Sequence, residues 1–146
     1  MVPASELRVM VQAFTALGYD RSRLMVAAGL DVVTLDDPDA RVPCETYETL
    51  VTHAQRERFT PNIGVELARH VPIGAYPLLD YLILTSDTVG AGLRHLQRYF
   101  QLTGSPMAIE IREDPDQVRV LAQGPQNAFS VEFFCGLMVL DLRIET

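Results

Sequence analysis

Lysine is absent from this chain: all twelve basic residues are arginine. Schiff-base chemistry and the phosphate-gripping P-loop both need a lysine amine, so both are excluded. Long apolar runs are missing too. The longest candidate, Tyr76 to Leu84, is broken by Pro77 and Asp80, well short of the roughly 18 apolar residues that mark a membrane helix. No basic segment followed by an apolar one marks a signal peptide. The expectation is a cytoplasmic protein with no membrane partner. Positive charge is scarce, with twelve bases against nineteen acids and a net charge of −7. A phosphate backbone is gripped by clustered positive charge. Here Arg8, Arg41, Arg69, Arg94 and Arg119 are scattered, and the pairs Arg21/Arg23 and Arg56/Arg58 are short. Any DNA contact would rest on residues outside this chain. Cysteine is limited to Cys44 and Cys135, far apart in sequence, which in a reducing compartment predicts free thiols.

Catalytic signatures are equally sparse. There is no G-x-S-x-G elbow, no HExxH and no CxxC. Glu66 and His70 are four residues apart on one helix face, but a structural metal wants about four ligands, and such a pair more often stays solvated. Cys135 sits in the apolar FFCGL, a setting for a small buried hydrophobe. Cys44 stands at a helix start with no histidine nearby in sequence. His70 and His95 lack any haem-attachment motif. Gly90-Ala91-Gly92 lacks the preceding strand and spacing of a phosphate cradle and reads as room for close helix packing. The prediction is no catalytic residue, no metal and no cofactor.

What is present is a core. At 146 residues and 48% apolar, the chain is one domain's worth. Leu7, Met10, Val11, Phe14 and Leu17 recur at helical spacing between a capping Ser5 and Gly18. Ser22 opens a second helix closed by Gly29. Asp36-Asp37-Pro38-Asp39 is a turn. Pro43 opens a third helix that buries Tyr47, Leu50, Val51 and Ala54. Further helices run from Ile63 to His70, from Pro77, and from an Asp87 or Thr88 cap through Val89, Leu93, Leu96 and Phe100. The period then falls to two: Met107, Ile109 and Ile111 alternate with polar neighbours, and Val118 to Ala122 repeats the pattern beyond Glu113-Asp114-Pro115-Asp116. That is a β-hairpin, which needs a covering layer to be stable. The segment from Ala128 to Ile144 carries a helical stripe at Phe129, Phe133, Leu137, Leu140 and Ile144, yet its end also alternates like a strand; length favours helix. The predicted fold class is α+β, mostly α-helical, with a small antiparallel hairpin packed on helices.

The order of local patterns adds a family. AAGLDVVTLDDPDARVP (Ala27 to Pro43) precedes NIGVELA, then a Gly–aromatic apolar run, then TVGAGLRHLQRYF, ending at Thr103 with QLT. From about Leu7 to Leu142 this resembles the N-terminal regulatory, arabinose-binding-like domain of AraC-type transcriptional regulators. The resemblance implies that residues 1–146 form a single effector-sensing and dimerising domain. It also implies that more strands and paired helix-turn-helix units normally follow. The final apolar segment stops at Thr146 without a cap, so the expectation is a fragment that ends before its DNA-binding half. It would meet DNA only through that missing half.

Aromatic residues gather in the second half: Tyr76, Tyr81, Tyr99, Phe100, Phe129, Phe133 and Phe134. Such a set either fills a core or lines an apolar pocket with a few convergent polar groups. Consecutive elements are usually neighbours, so the hairpin and the helix before it should converge. The predicted ligand-binding residues are Tyr76, Leu79, Arg98, Tyr99, Phe100, Met107 and Phe133, with the Arg98 fork as polar anchor for a carboxylate or polyol. The predicted partners are a small-molecule effector and a second copy in a homodimer. A ligand-independent oligomerisation module is the alternative, and a small enzyme with a perturbed carboxylate near Glu66, Asp80 or Asp87 is the third reading.

Overall fold

The structure, a computed structural model, describes residues 1–124 and 127–145, with side chains described as far as residue 143. The fold is α+β, as the sequence predicts. Helix α1 (Ala4–Ala16) buries Leu7, Met10, Val11 and Phe14. The residue ahead of it is Pro3, with no side-chain cap, so Ser5 is a first-turn residue rather than the predicted cap. Helix α2 (Arg21–Ala28) is capped by Asp20, whose carboxylate accepts from the Arg23 amide at 2.9 Å. The predicted start at Ser22 is thus two residues late, because Asp20 already meets the orphan amide. Gly29 closes α2 in the left-handed region. A short helix α3 (Val32–Asp36), capped by Asp31 on the Thr34 amide at 2.7 Å, was not predicted and leads into the expected turn at Asp36 to Asp39. The predicted turn is its exit, where Asp37 accepts from the Asp39 amide.

Two strands of two residues each, β1 (Val2–Pro3) and β2 (Arg41–Val42), pair antiparallel. They were not expected, since two residues carry no period. The Ala4 amide extends the pairing to the Ala40 carbonyl at 2.9 Å. Helix α4 (Glu45–Glu57) is tied to the end of α1 by Tyr19 and Arg58. The Tyr19 hydroxyl donates to the Arg58 carbonyl at 2.7 Å, and the Arg58 guanidinium donates to the Leu17 carbonyl at 2.8 Å. Helices α5 (Ile63–Ala68), α6 (Pro77–Leu84) and α7 (Val89–Tyr99) follow. Thr88 caps α7, accepting from the Ala91 amide at 3.1 Å. A 3-10 turn (Phe100–Thr103) leads to β3 (Ala108–Asp114) and β4 (Gln117–Gln123), paired antiparallel from Ala108↔Gln123 to Asp114↔Gln117. Helix α8 (Ala128–Glu145) resolves the ambiguous final segment as helix. The predicted place of the Ile144 side chain in its stripe lies outside the described residues.

The buried side chains form two clusters. One joins α1 to α5 with Phe129 and Phe133 of α8. The other joins Leu79, Leu96, Phe100 and Ile109, with Phe134 and Met138 of α8 packed against it. Neighbouring α8 residues therefore point into different clusters: Phe133 into the first and Phe134 into the second. Helix α8 approaches α5 so closely that a Cβ on Gly64 would lie 2.7 Å from the Phe133 backbone nitrogen, and one on Gly136 would lie 2.9 Å from the Ala68 Cβ. By contrast, a Cβ on Gly92 would meet Ile83 at an ordinary 3.6 Å. The glycines that permit tight helix packing are thus Gly64 and Gly136; the Gly90-Ala91-Gly92 run at α7 has space to spare.

Candidate functional site: a cavity between the two clusters

A cavity of about 310 Å³ lies where the clusters meet, partly open to solvent. Tyr76, Leu79, Phe100, Met107 and Phe133, all predicted from the sequence to come together, line it. They arrive from α6 and its cap, the end of α7, the approach to β3, and α8. The alternation in β3 works as expected: Ile109 is buried, and Met107 and Ile111 pack on the same cluster.

Arg98 and Tyr99 are not in that lining. Helix α7 buries Gly92 and Leu96, with Phe100 buried just past its end, and Arg98 stands two residues from Leu96, about 200° around the helix. Its side chain is on the solvent side, with the guanidinium carbon 5.3 Å from the Tyr99 ring centroid. Tyr99 is half-buried beside His95, ring centroids 6.2 Å apart. The predicted polar anchor therefore does not face the cavity.

Its polar groups come from elsewhere. Glu6, in the first turn of α1, lines the cavity with Tyr47 and Glu48 of α4, Tyr76 ahead of α6, and Asp80 within α6. Burial pushes the Glu6 carboxyl up to about 7, and the charge of Arg41 offsets that only in part. Burial also drives the Tyr47 phenol well above its usual value, with Tyr76 and Glu6 adding to the effect. Tyr76 is raised by burial first, then by Glu6 and Asp80. Among the described residues, neither the Glu6 carboxylate nor the Tyr47 and Tyr76 hydroxyls have a hydrogen-bond or ion-pair partner. Asp80 is held: it accepts from the Gly74 amide at 2.6 Å and the Tyr76 amide at 3.2 Å. That fixes the entry into α6 and with it the Tyr76 ring.

Sequence reasoning missed Glu6, Tyr47 and Glu48. An acid in the first turn of a helix is ordinary, since it opposes the dipole there, and Tyr47 reads as a core position on α4. What brings Glu6 to the cavity is the β1–β2 pairing. It ties the start of α1 to the segment leading into α4.

The other chemistry-bearing residues are dispersed. Glu66 is 3.7 Å from Arg69, an exposed pair. His70 follows the end of α5. His95 Nδ1 is 2.9 Å from the Ser86 hydroxyl. Cys44, at the cavity, and Cys135 are both exposed free thiols, so Cys135 is not the buried hydrophobe that its apolar neighbours suggest. Its neighbours are apolar, but it falls on the outer face of α8 with Val131 and Val139. Among the described residues no group of three or more metal-ligating side chains gathers, and no helix is long and apolar enough to cross a membrane. The carboxylate at the cavity whose proton affinity burial raises is Glu6. No histidine lies in the lining to pair with Cys44 as a base.

Comparison with known proteins places this geometry. Residues 18–143 match the family described as the arabinose-binding domain of AraC transcription regulator, N-term. The chain is also 25% identical over 140 residues to the ornithine utilization regulator of Pseudomonas aeruginosa, a match covering 94% of this chain and 41% of that protein. The chain thus spans about two-fifths of the length of that relative.

Proposed function

This chain belongs to the family of N-terminal arabinose-binding domains of AraC transcription regulators, and we propose that it senses a small-molecule effector in the cavity bounded by Tyr76, Leu79, Phe100, Met107 and Phe133. This is a transcription-regulator family rather than an enzyme family. The observation that carries the reading is the cavity itself: largely apolar walls and, among them, Glu6, Tyr47 and Tyr76, whose side-chain oxygens have no hydrogen-bond or ion-pair partner among the described residues. Buried polar groups are normally satisfied within the protein, and convergent polar groups in an apolar pocket are what a small-molecule site requires.

The effector would act through α8. That helix packs on both clusters, so a molecule wedged between Phe133 and Met107 biases how the clusters sit against each other. In the full polypeptide, that bias would reach a DNA-binding helix-turn-helix half in the cytoplasm. Coupling of about 1–3 kcal/mol is typical of such links. Residues 1–146 would contact DNA only through that half. The net charge of −7 supports this separation of roles.

A dimerising role is compatible with sensing. Leu78, Tyr81 and Leu84 of α6 are exposed, and such apolar surface suits a second copy of the chain. A module that only oligomerised would have no use for the internal cavity.

The test is a thermal-melt screen of the 146-residue chain against small metabolites, alongside Met107→Trp. An effector should raise the melting temperature of the native chain. Met107→Trp should lose that response while keeping its helical circular dichroism. A Met107→Trp protein that still responds fully would place the effector elsewhere.

A further inference from the structure

Taking the cavity as the effector site, we infer that its occupant is an amine: an apolar body ending in a single protonated amino group, with no carboxylate of its own. Among the described residues, the charged side chains in the lining are all acidic. Glu6, Glu48, Asp80 and Asp141 contribute to it, and no arginine or histidine does. Arg41 acts on Glu6 through its charge, but it is exposed and outside the lining.

The second observation is the Tyr47 phenol. It is half-buried, lines the cavity and has no hydrogen-bond partner among the described residues. The Tyr76 phenol nearby is in the same condition. A half-buried hydroxyl loses part of its water contact when a ligand fills the cavity, so a ligand that supplies a hydrogen-bond partner is favoured at that spot. An ammonium carries three N–H donors and no acceptor. The Glu6 carboxylate and the phenol oxygens are the acceptors that match it.

The rest of the lining decides the body of the molecule. Leu79, Phe100, Met107 and Phe133 are apolar walls. They suit an alkyl or aryl group, whereas a polyol would need hydrogen-bond partners along its whole length. A fatty or aromatic acid would bring a negative charge beside Glu6. An amino acid would place its carboxylate where no basic side chain can receive it.

Glu6 also gives the site a pH signature. Sharing the lining with it are Tyr47 and Glu48 from α4, Tyr76 and Asp80 from the start of α6 and Asp141 from α8, and Arg41 of β2 acts on it through its charge. With its pKa near 7 in the empty cavity, Glu6 is partly protonated at neutral pH. A bound ammonium favours the ionised form and expels that proton. Amine affinity should therefore rise between pH 6 and pH 8, a range in which an alkylamine stays charged.

The experiment is calorimetric titration of the 146-residue chain with matched ligands. One series is 2-phenylethylamine, 2-phenylethanol, 3-phenylpropanoate and phenylalanine; a second is hexylamine, hexanol and hexanoate. In at least one series the amine should bind best at pH 8, with the alcohol about tenfold weaker or worse and the carboxylate weakest. Phenylalanine should bind no better than the alcohol. Glu6→Gln should lower the amine to the level of the alcohol, remove the pH dependence and weaken the alcohol much less than the amine. Tyr47→Phe, which keeps the ring, should weaken the amine severalfold and the alcohol less. A carboxylate or phenylalanine binding tightest, or an amine preference that survives both variants, overturns the inference. If the alcohol binds as well as the amine and Met107→Trp abolishes both, the charge assignment fails while the cavity remains the effector site. If no member of either series binds at pH 8, both fail together.

Discussion

The two sides of α8 are packed to different standards. On the α1 side, Leu7, Met10, Phe14, Leu24, Leu50 and Leu67 have no measurable exposure. On the hairpin side, Leu79, Leu96, Phe100 and Ile109 retain between 3% and 9%. Several of the partly buried residues around them, such as Tyr76 and Met107, open onto the cavity. The first side is closed by helices locked end to end, as in the Tyr19–Arg58 tie. The second is closed by a two-stranded hairpin with no further strand beside it among the described residues. A hairpin covers a helix layer without filling every gap. Room for a ligand is found where the less completely sealed side meets the first, and the fully buried side chains lie on the first.

Core truncation should separate the two sides most sharply. Phe14→Ala removes a fully buried ring and should cost about 3–5 kcal/mol in urea unfolding. Phe100→Ala, beside the cavity, should fall at or below the low end of that range, because part of its surroundings is already empty. Equal losses would mean that the hairpin side is packed as tightly as the other.

Glu6 should give the next largest effect, visible as a pH dependence. Its folded pKa, about 7, lies above its ordinary value of 4.5, so the folded state holds the proton more tightly. Stability linked to Glu6 is fully present below about pH 4.5 and is lost as pH rises through 7. The full span is on the order of 3 kcal/mol. Glu6→Gln should flatten this slope and be more stable than the native chain at pH 8. Parallel urea curves at pH 5 and pH 8 for both proteins decide it, and a native chain with no greater pH dependence than the variant would contradict the burial of Glu6.

The seam between the regions comes third. Gly64→Ala would set a methyl group against the backbone of Phe129 and Phe133 and should destabilise by about 1–3 kcal/mol. Gly92→Ala, with ordinary contacts, should be neutral or slightly stabilising as a helix substitution. If thermal melts rank them the other way, the tight crossing is at α6–α7 and not at α5–α8.

The smallest stability change should come from Met107→Trp, under about 1.5 kcal/mol, because the new ring enters existing space rather than a filled core. Denaturation together with a ligand titration measures it. A large loss would show that the space around Met107 is not free.

Much of the helical framework is legible in the residues because local periods encode it. The spacing of Leu7, Met10, Val11 and Phe14 marks α1, and the alternation at Met107, Ile109 and Ile111 marks β3 whatever surrounds it. Thr88 as a cap, and helix over strand for α8, were also readable. The caps of α1 and α2 were not. Ser5 and Ser22 have the right chemistry, but the helices begin earlier, ahead of Ala4 and Arg21. The predicted gathering of Tyr76, Leu79, Phe100, Met107 and Phe133 came from chain order, since consecutive elements tend to be neighbours.

The sequence by itself determined the α+β class, the family and the apolar half of the cavity lining, because periodicity and ordered motifs are local properties. Tertiary structure alone decided the polar half. Arg98 is excluded by the rotation of α7 about its own axis, which follows from where Leu96 and Phe100 find their core. Glu6 is admitted by a two-residue strand pair joining segments about forty residues apart. Its altered proton affinity, like that of Tyr47, exists only because packing removes water from around it. No pattern along the chain carries that information, since desolvation is a property of the assembled surroundings and not of the residue.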